Sequence, residues 1–162
     1  MKYLQMILIA TIAIFAFSCS EENTVDPPVE EIGSVELIAA DGTEITGNLM
    51  DNLVSFNTQV KNNSTRDLTL WALMEVVELA PNQKTYYCWG LGDEGTCYAE
   101  RTTDLKSDRT ITLTPGQITD PGSFACYLKN ESAFGGTSKI RYIVYEDGNE
   151  DNRDTVLYTI TF

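Results

Sequence analysis

Residues 139–162 read KIRYIVYEDGNEDNRDTVLYTITF, and this stretch decides the fold class. Ile140, Tyr142 and Val144 alternate with Arg141, Ile143 and Tyr145. Val156, Tyr158 and Ile160 alternate in the second half. A period of two sends successive side chains to opposite faces of a β-strand. Between the halves, Glu146 to Asp154 is polar and turn-rich, which predicts a long hairpin loop.

The same signature recurs toward the N-terminus. Leu53 to Lys61 alternates, with Val54, Phe56, Thr58 and Val60 on one face. Leu68 to Leu79 (LTLWALMEVVEL) is apolar at nearly every position. A helix competes there, but β-branched and aromatic content favours a buried sandwich strand, with Trp71 in the core. Tyr86–Trp89 and Thr96–Glu100 read as a short pair across a Gly-rich turn. Thr110–Leu113 ends at Pro115-Gly116, and Phe124–Leu128 follows. Val35–Ile38 and Glu44–Thr46 flank a turn at Asp41-Gly42. Such spacing predicts an all-β fold: one antiparallel sandwich of seven to eight strands over residues 33–162. No strand–helix alternation supports an α/β fold.

The first residues read as an export signal. Lys2 supplies a positive start, and Ile7 to Phe17 (ILIATIAIFAF) is an uncharged apolar run. It is shorter than the roughly 20 residues a spanning helix needs, and suits a signal peptide over 1–18. Residues 19–32 follow as Cys19 and then SEENTVDPPVEEI, a tether too acidic and proline-broken to offset its own ordering entropy.

Composition excludes much. The chain has 24 acidic and 11 basic residues, a net charge of −13, and removing residues 1–18 would take away only Lys2. Such a surface argues against nucleic acid, whose phosphates dominate affinity, and against resting on anionic lipid. There is no histidine. That removes the commonest general base, the Ser-His-Asp arrangement and every His-containing zinc site. An enzyme is therefore not expected, nor any cofactor. A hydrolase working with carboxylates alone would need two acids roughly 5–9 Å apart in a concave site.

Cysteines and loops supply the remaining candidates. Cys88 and Cys97 flank WGLGDEGT and are expected to form a disulfide, although spacing alone does not establish connectivity. Cys126 lies in an alternating strand and reads as a small core residue; a reactive thiol would need a positive neighbour beyond Lys129. Gly90-Leu91-Gly92-Asp93-Glu94-Gly95 spells GxGxxG. It leads into a strand and carries two acids, so it is a hairpin loop and no phosphate cradle. Asp147, Asn149 and Asp151 have calcium-ligand spacing. Asn152 replaces the glycine of an EF-hand turn and Tyr158 its bidentate glutamate, so only a weak site of other geometry is left. Tyr86, Tyr87, Trp89 and Tyr98 cluster around the cysteine hairpin, with Tyr87 and Trp89 on the face opposite Cys88. If exposed, Tyr87, Trp89 and Tyr98 would form a binding patch for a protein or glycan; core packing is the competing reading.

Two resemblances add to this. Ala16-Phe17-Ser18-Cys19 resembles the lipobox of bacterial lipoproteins, departing from it at Ala16 and Phe17. The likeness implies lipid on Cys19 and an outer-membrane location, and two or more acyl chains hold a protein stably. Ser20-Glu21-Glu22 resembles the acidic signal that sends some Bacteroidota lipoproteins to the cell surface; an ordinary acidic linker is the alternative. Further on, a fixed order of features covers about residues 50–162. It runs from Val60-Lys61-Asn62-Asn63-Ser64 through Trp71, the cysteine hairpin and Leu113-Thr114-Pro115-Gly116-Gln117. It continues through Phe124-Ala125-Cys126-Tyr127-Leu128 and Gly135-Gly136-Thr137 to Tyr145-Glu146-Asp147. This order resembles the immunoglobulin-like domains of Bacteroidota surface proteins, a group largely without assigned activity. Together these readings imply a non-enzymatic, lipid-anchored surface module that binds or assembles. A structural envelope scaffold without its own ligand is the alternative.

Overall fold

Alternating apolar residues make two-faced strands, and two such faces bury each other best as stacked sheets. The computed structural model describes residues 33–162 and has this architecture. The strands are β1 Val35–Ala39, β2 Glu44–Thr46, β3 Leu53–Asn62, β4 Leu68–Glu78, β5 Gln83–Trp89 and β6 Thr96–Cys97. They continue as β7 Leu105–Lys106, β8 Ile111–Leu113, β9 Phe124–Asn130, β10 Thr137–Glu146 and β11 Asn149–Thr161. One sheet runs β1-β3-β9-β5-β6. The other runs β2-β11-β10-β4-β7, with β8 also on β4. Leu68–Glu78 is a strand, as its composition favours.

The count exceeds the seven to eight strands expected. The excess lies in short edge pieces, of which β6 and β7 have two residues each. The sandwich is also not wholly antiparallel: β2 lies parallel to the end of β11, with Ile45 opposite Ile160.

The expected loop over Glu146–Asp154 is a second departure. β10 and β11 are joined by Asp147-Gly148 alone, and pairing resumes with Glu146 opposite Asn149. Gly148 sits at φ 79°, which glycine adopts without a Cβ clash. The polar residues of this stretch are structural. Arg66 meets the buried Glu146 carboxylate with both terminal nitrogens. Asn152 Nδ2 donates to Glu146 Oε2 at 2.9 Å, and Ser34 Oγ donates to Asn152 Oδ1 at 2.9 Å. The network ties the start of the domain to the hairpin.

The Arg66 hydrogen bonds hold the Glu146 carboxyl below the ordinary value of 4.5, against the opposing effect of burial. A depressed carboxyl stabilises the fold above its unfolded pKa, and that contribution is lost as pH falls through the folded value. Glu146→Ala is expected to cost about 1.5–3 kcal/mol at pH 7, discounted for the half-exposed arginine. The deficit should shrink in urea titrations on going to acid pH.

The core lies between the inner faces. Phe56, Tyr87, Trp89, Phe124, Tyr142 and Tyr158 are fully buried. Tyr142 stands edge-on to Phe56 at 6.1 Å, Tyr87 at 6.1 Å and Phe124 at 5.4 Å between ring centroids. The hydroxyls of buried tyrosines find partners, as burial requires. Tyr158 and Thr58 share a hydrogen bond of 2.7 Å, and Tyr87 donates to the Ala72 and Leu105 carbonyls at 3.3 Å.

Candidate binding surfaces

The cysteine hairpin is built by strand register. Cys88 and Cys97 face each other across β5 and β6 and form a disulfide. At Gly90 the backbone must pass Gly95: a Cβ there would come within 2.3 Å of the Gly95 Cα. Cys88 and Cys97 point away from the core, so the neighbours of Cys88 in sequence point into it.

Tyr87 and Trp89 share a face, as alternation requires, but that face is the core, and both are 0% exposed. Trp89 packs edge-on to Phe124 at 5.0 Å, and its Nε1 donates to the Arg109 carbonyl at 3.2 Å. Neither residue is a contact for a partner. The reason is tertiary: the carbonyls of Leu105 and Arg109, from a later segment, accept from the Tyr87 hydroxyl and the Trp89 indole. Tyr98 is half-buried against Tyr87 at 4.9 Å, with its hydroxyl donating to Asp108 Oδ1 at 2.7 Å. Burial raises the Tyr98 phenol to about 12.

A groove of about 490 Å³ lies beside this hairpin, lined by Gly90, Leu91, Glu94 and Asp108–Thr112. Its Asp108 carboxyl is held below the carboxylate range, chiefly by the Tyr98 hydroxyl, the wrong direction for a general acid.

The calcium candidates do not converge. Asp147 is in the turn and accepts from Trp71 Nε1 at 2.9 Å, whereas Asn149 and Asp151 lie along β11. Among the described residues, no group of three His, Cys, Asp or Glu side chains is gathered for a metal. Cys126 is a buried free thiol, pushed up to about 12 by burial, and is a core residue. Cys19, the signal peptide and the tether lie outside the described residues.

Two surfaces were not anticipated from the sequence. Trp71, expected inside, is half-exposed on the outer face of the six-stranded sheet. It lies opposite Tyr145, with the Lys106 ammonium 4.5 Å from its ring centroid. The second surface is one end of the sandwich. β3 begins there at Leu53, opposite Lys129 near the end of β9, and Phe162 N donates to the Gly136 carbonyl. Met50 is 89% exposed and Phe134 81%, with Leu49 and Leu53 also exposed. Hydrophobic period marks strands, and Leu49, Met50 and Phe134 sit in loops where periodicity has no meaning.

No family model matches the chain, and no curated protein matches it. Solved structures do resemble it. The N-terminal domain of PorA is 13% identical, with a TM-score of 0.51, over 78% of this chain and 96% of that one. The likeness is one of fold. A PapD-like domain of human CEP192 (15% identity, TM-score 0.39) aligns over 79% of this chain and 82% of its own. The CooA pilin subunit from enterotoxigenic Escherichia coli (12%, 0.38) covers 79% and 96%.

Proposed function

We propose that the chain is a lipid-anchored envelope protein of Bacteroidota type, held through Cys19. Its immunoglobulin-like sandwich would be a non-enzymatic module that binds or assembles with a protein partner. One observation carries this reading. The chain enters the domain at the end opposite the exposed Met50 and Phe134. Ser34 is buried beside Asn152, and its carbonyl accepts from Asn63 N at 2.7 Å, at the finish of β3. The ten-residue β3 then separates this pole from Leu53 by about 30 Å at the usual strand rise. A tether at one pole presents the other outward. An apolar pair in exposed loops is the kind of anchor that partner surfaces bury.

The test is a photo-crosslinking residue placed in the full-length protein in cells at Met50, Phe134 or, as control, Asp93. Discrete adducts from positions 50 and 134, with none from 93, are expected. Adducts only from 93, or none anywhere, would overturn the reading. Substitution at these exposed loops should change stability by less than about 0.5 kcal/mol, so a lost adduct would report contact. Protease added to intact cells, against a lysed control, separates an outward-facing domain from a periplasmic one.

A further inference from the structure

Most basic side chains of this acidic domain are neutralised. Lys61, Arg66, Lys84, Arg109, Lys129, Lys139 and Arg141 each lie within 4.0 Å of a carboxylate. Lys106 sits over the Trp71 and Tyr145 rings. Arg101 and Arg153 have no such carboxylate among the described residues, and of the two Arg153 lies on a sheet face. It is exposed on the outer face of β11, opposite Tyr145, and no carboxylate of the described residues lies within ion-pair distance. In a chain with 24 acids to 11 bases, Arg101 and Arg153 are the guanidiniums of the described residues without an ion pair, and Arg153 is the one that borders a depression.

Arg153 borders a depression of about 390 Å³, lined also by Glu75, Arg141, Ile143 and Thr155. That is within the range of small-ligand sites. Ile143 makes an apolar floor. Arg141 Nη1 donates to Glu75 Oε2 at 2.9 Å and so fixes that carboxylate at the wall. The Thr155 hydroxyl makes no hydrogen bond to the described residues, although its backbone N donates to Asp154 Oδ1.

We propose that this depression binds a saccharide bearing a carboxylate. A planar guanidinium matches a carboxylate with two parallel hydrogen bonds. The anchored Glu75 accepts from ring hydroxyls, Thr155 donates or accepts, and Ile143 receives the apolar face of the ring. A peptide adding as a strand would lie along a sheet edge, whereas Arg141, Ile143, Arg153 and Thr155 present a sheet face. Asp151 lies two residues from Arg153 on the same face of β11, and Asp147 and Glu150 stand near Lys106. These acids confine the anion to Arg153 and exclude polyanions. The inference stands apart from the partner contact at Met50 and Phe134, and either can fail alone.

The experiment is saturation-transfer NMR on the full-length chain in detergent micelles with sodium galacturonate, galactose and sodium acetate as probes. Galacturonate should bind, with galactose and acetate each at least about tenfold weaker. Arg153→Gln should weaken galacturonate by about tenfold or more, the magnitude of one lost charged hydrogen-bonded pair. Arg109→Gln, at the other groove, should leave it unchanged. Absent galacturonate binding, equal galactose binding or an unaffected R153Q variant would each overturn the proposal. Acetate binding as tightly as galacturonate would reduce the depression to a bare anion site and overturn it equally. Urea midpoints of both variants, expected within error of the parent, show that the fold is retained.

Discussion

Trp89→Ala is expected to lower the free energy of unfolding by about 3–5 kcal/mol, the range for emptying a buried large aromatic site. The indole is fully buried, stands edge-on to Phe124 and donates to the Arg109 carbonyl. Removing it opens a cavity between β5 and the 105–112 segment and leaves that carbonyl without its protein donor. A domain of this size has only about 5–15 kcal/mol in total, so the variant should be marginal at 37 °C. Urea unfolding followed by far-UV circular dichroism measures the loss. Trp89→Phe keeps most of the volume and should lose less, with the lost Nε1 donor as the remainder. If Trp89→Ala left the midpoint unchanged, the hairpin would not be packed as described, and Trp89 would return as a surface residue.

Removing the Cys88–Cys97 disulfide, as Cys88→Ala with Cys97→Ala, is expected to cost about 2–3 kcal/mol on a chain-entropy estimate. The bond closes a loop of nine residues' separation and holds β6, a two-residue strand, on the edge of its sheet. Tyr98 also secures the hairpin, since its ring meets Tyr87 and its oxygen accepts from Asp108 N at 3.0 Å. The urea midpoint should fall, and the gain in unfolded-state freedom should appear as an equal or larger slope. Cys126 is buried and should form no intermolecular disulfide in the variant. A change under about 0.5 kcal/mol would mean the hairpin opens before the domain unfolds.

Much of this was legible in the residues. Period-two alternation gave the long strands β3 and β10 and the second half of β11, because a strand's geometry repeats every two residues whatever surrounds it. Glycines that let the chain reverse made a Cys88–Cys97 pairing expected, and the register of β5 against β6 sets the two opposite each other. The shared face of Tyr87 and Trp89 was also readable. Which side of the sheet that face met was not.

Absence of histidine and the excess of acids are properties of the sequence alone, and so is the apolar run before Cys19. Burial of Trp89 and exposure of Trp71 are not, since both lie in apolar strands with the same local pattern. The core is chosen by which sheet face meets the other sheet, a contact between residues far apart in the chain. The polar run Glu146–Asp154 shows the same limit. Its composition says loop, yet Arg66 and Ser34, eighty and 118 residues away, supply the partners that let Glu146 and Asn152 be buried in strands. Unpaired Arg153 likewise exists only in three dimensions. Local pattern determines which segments extend; long-range pairing decides what each side chain faces.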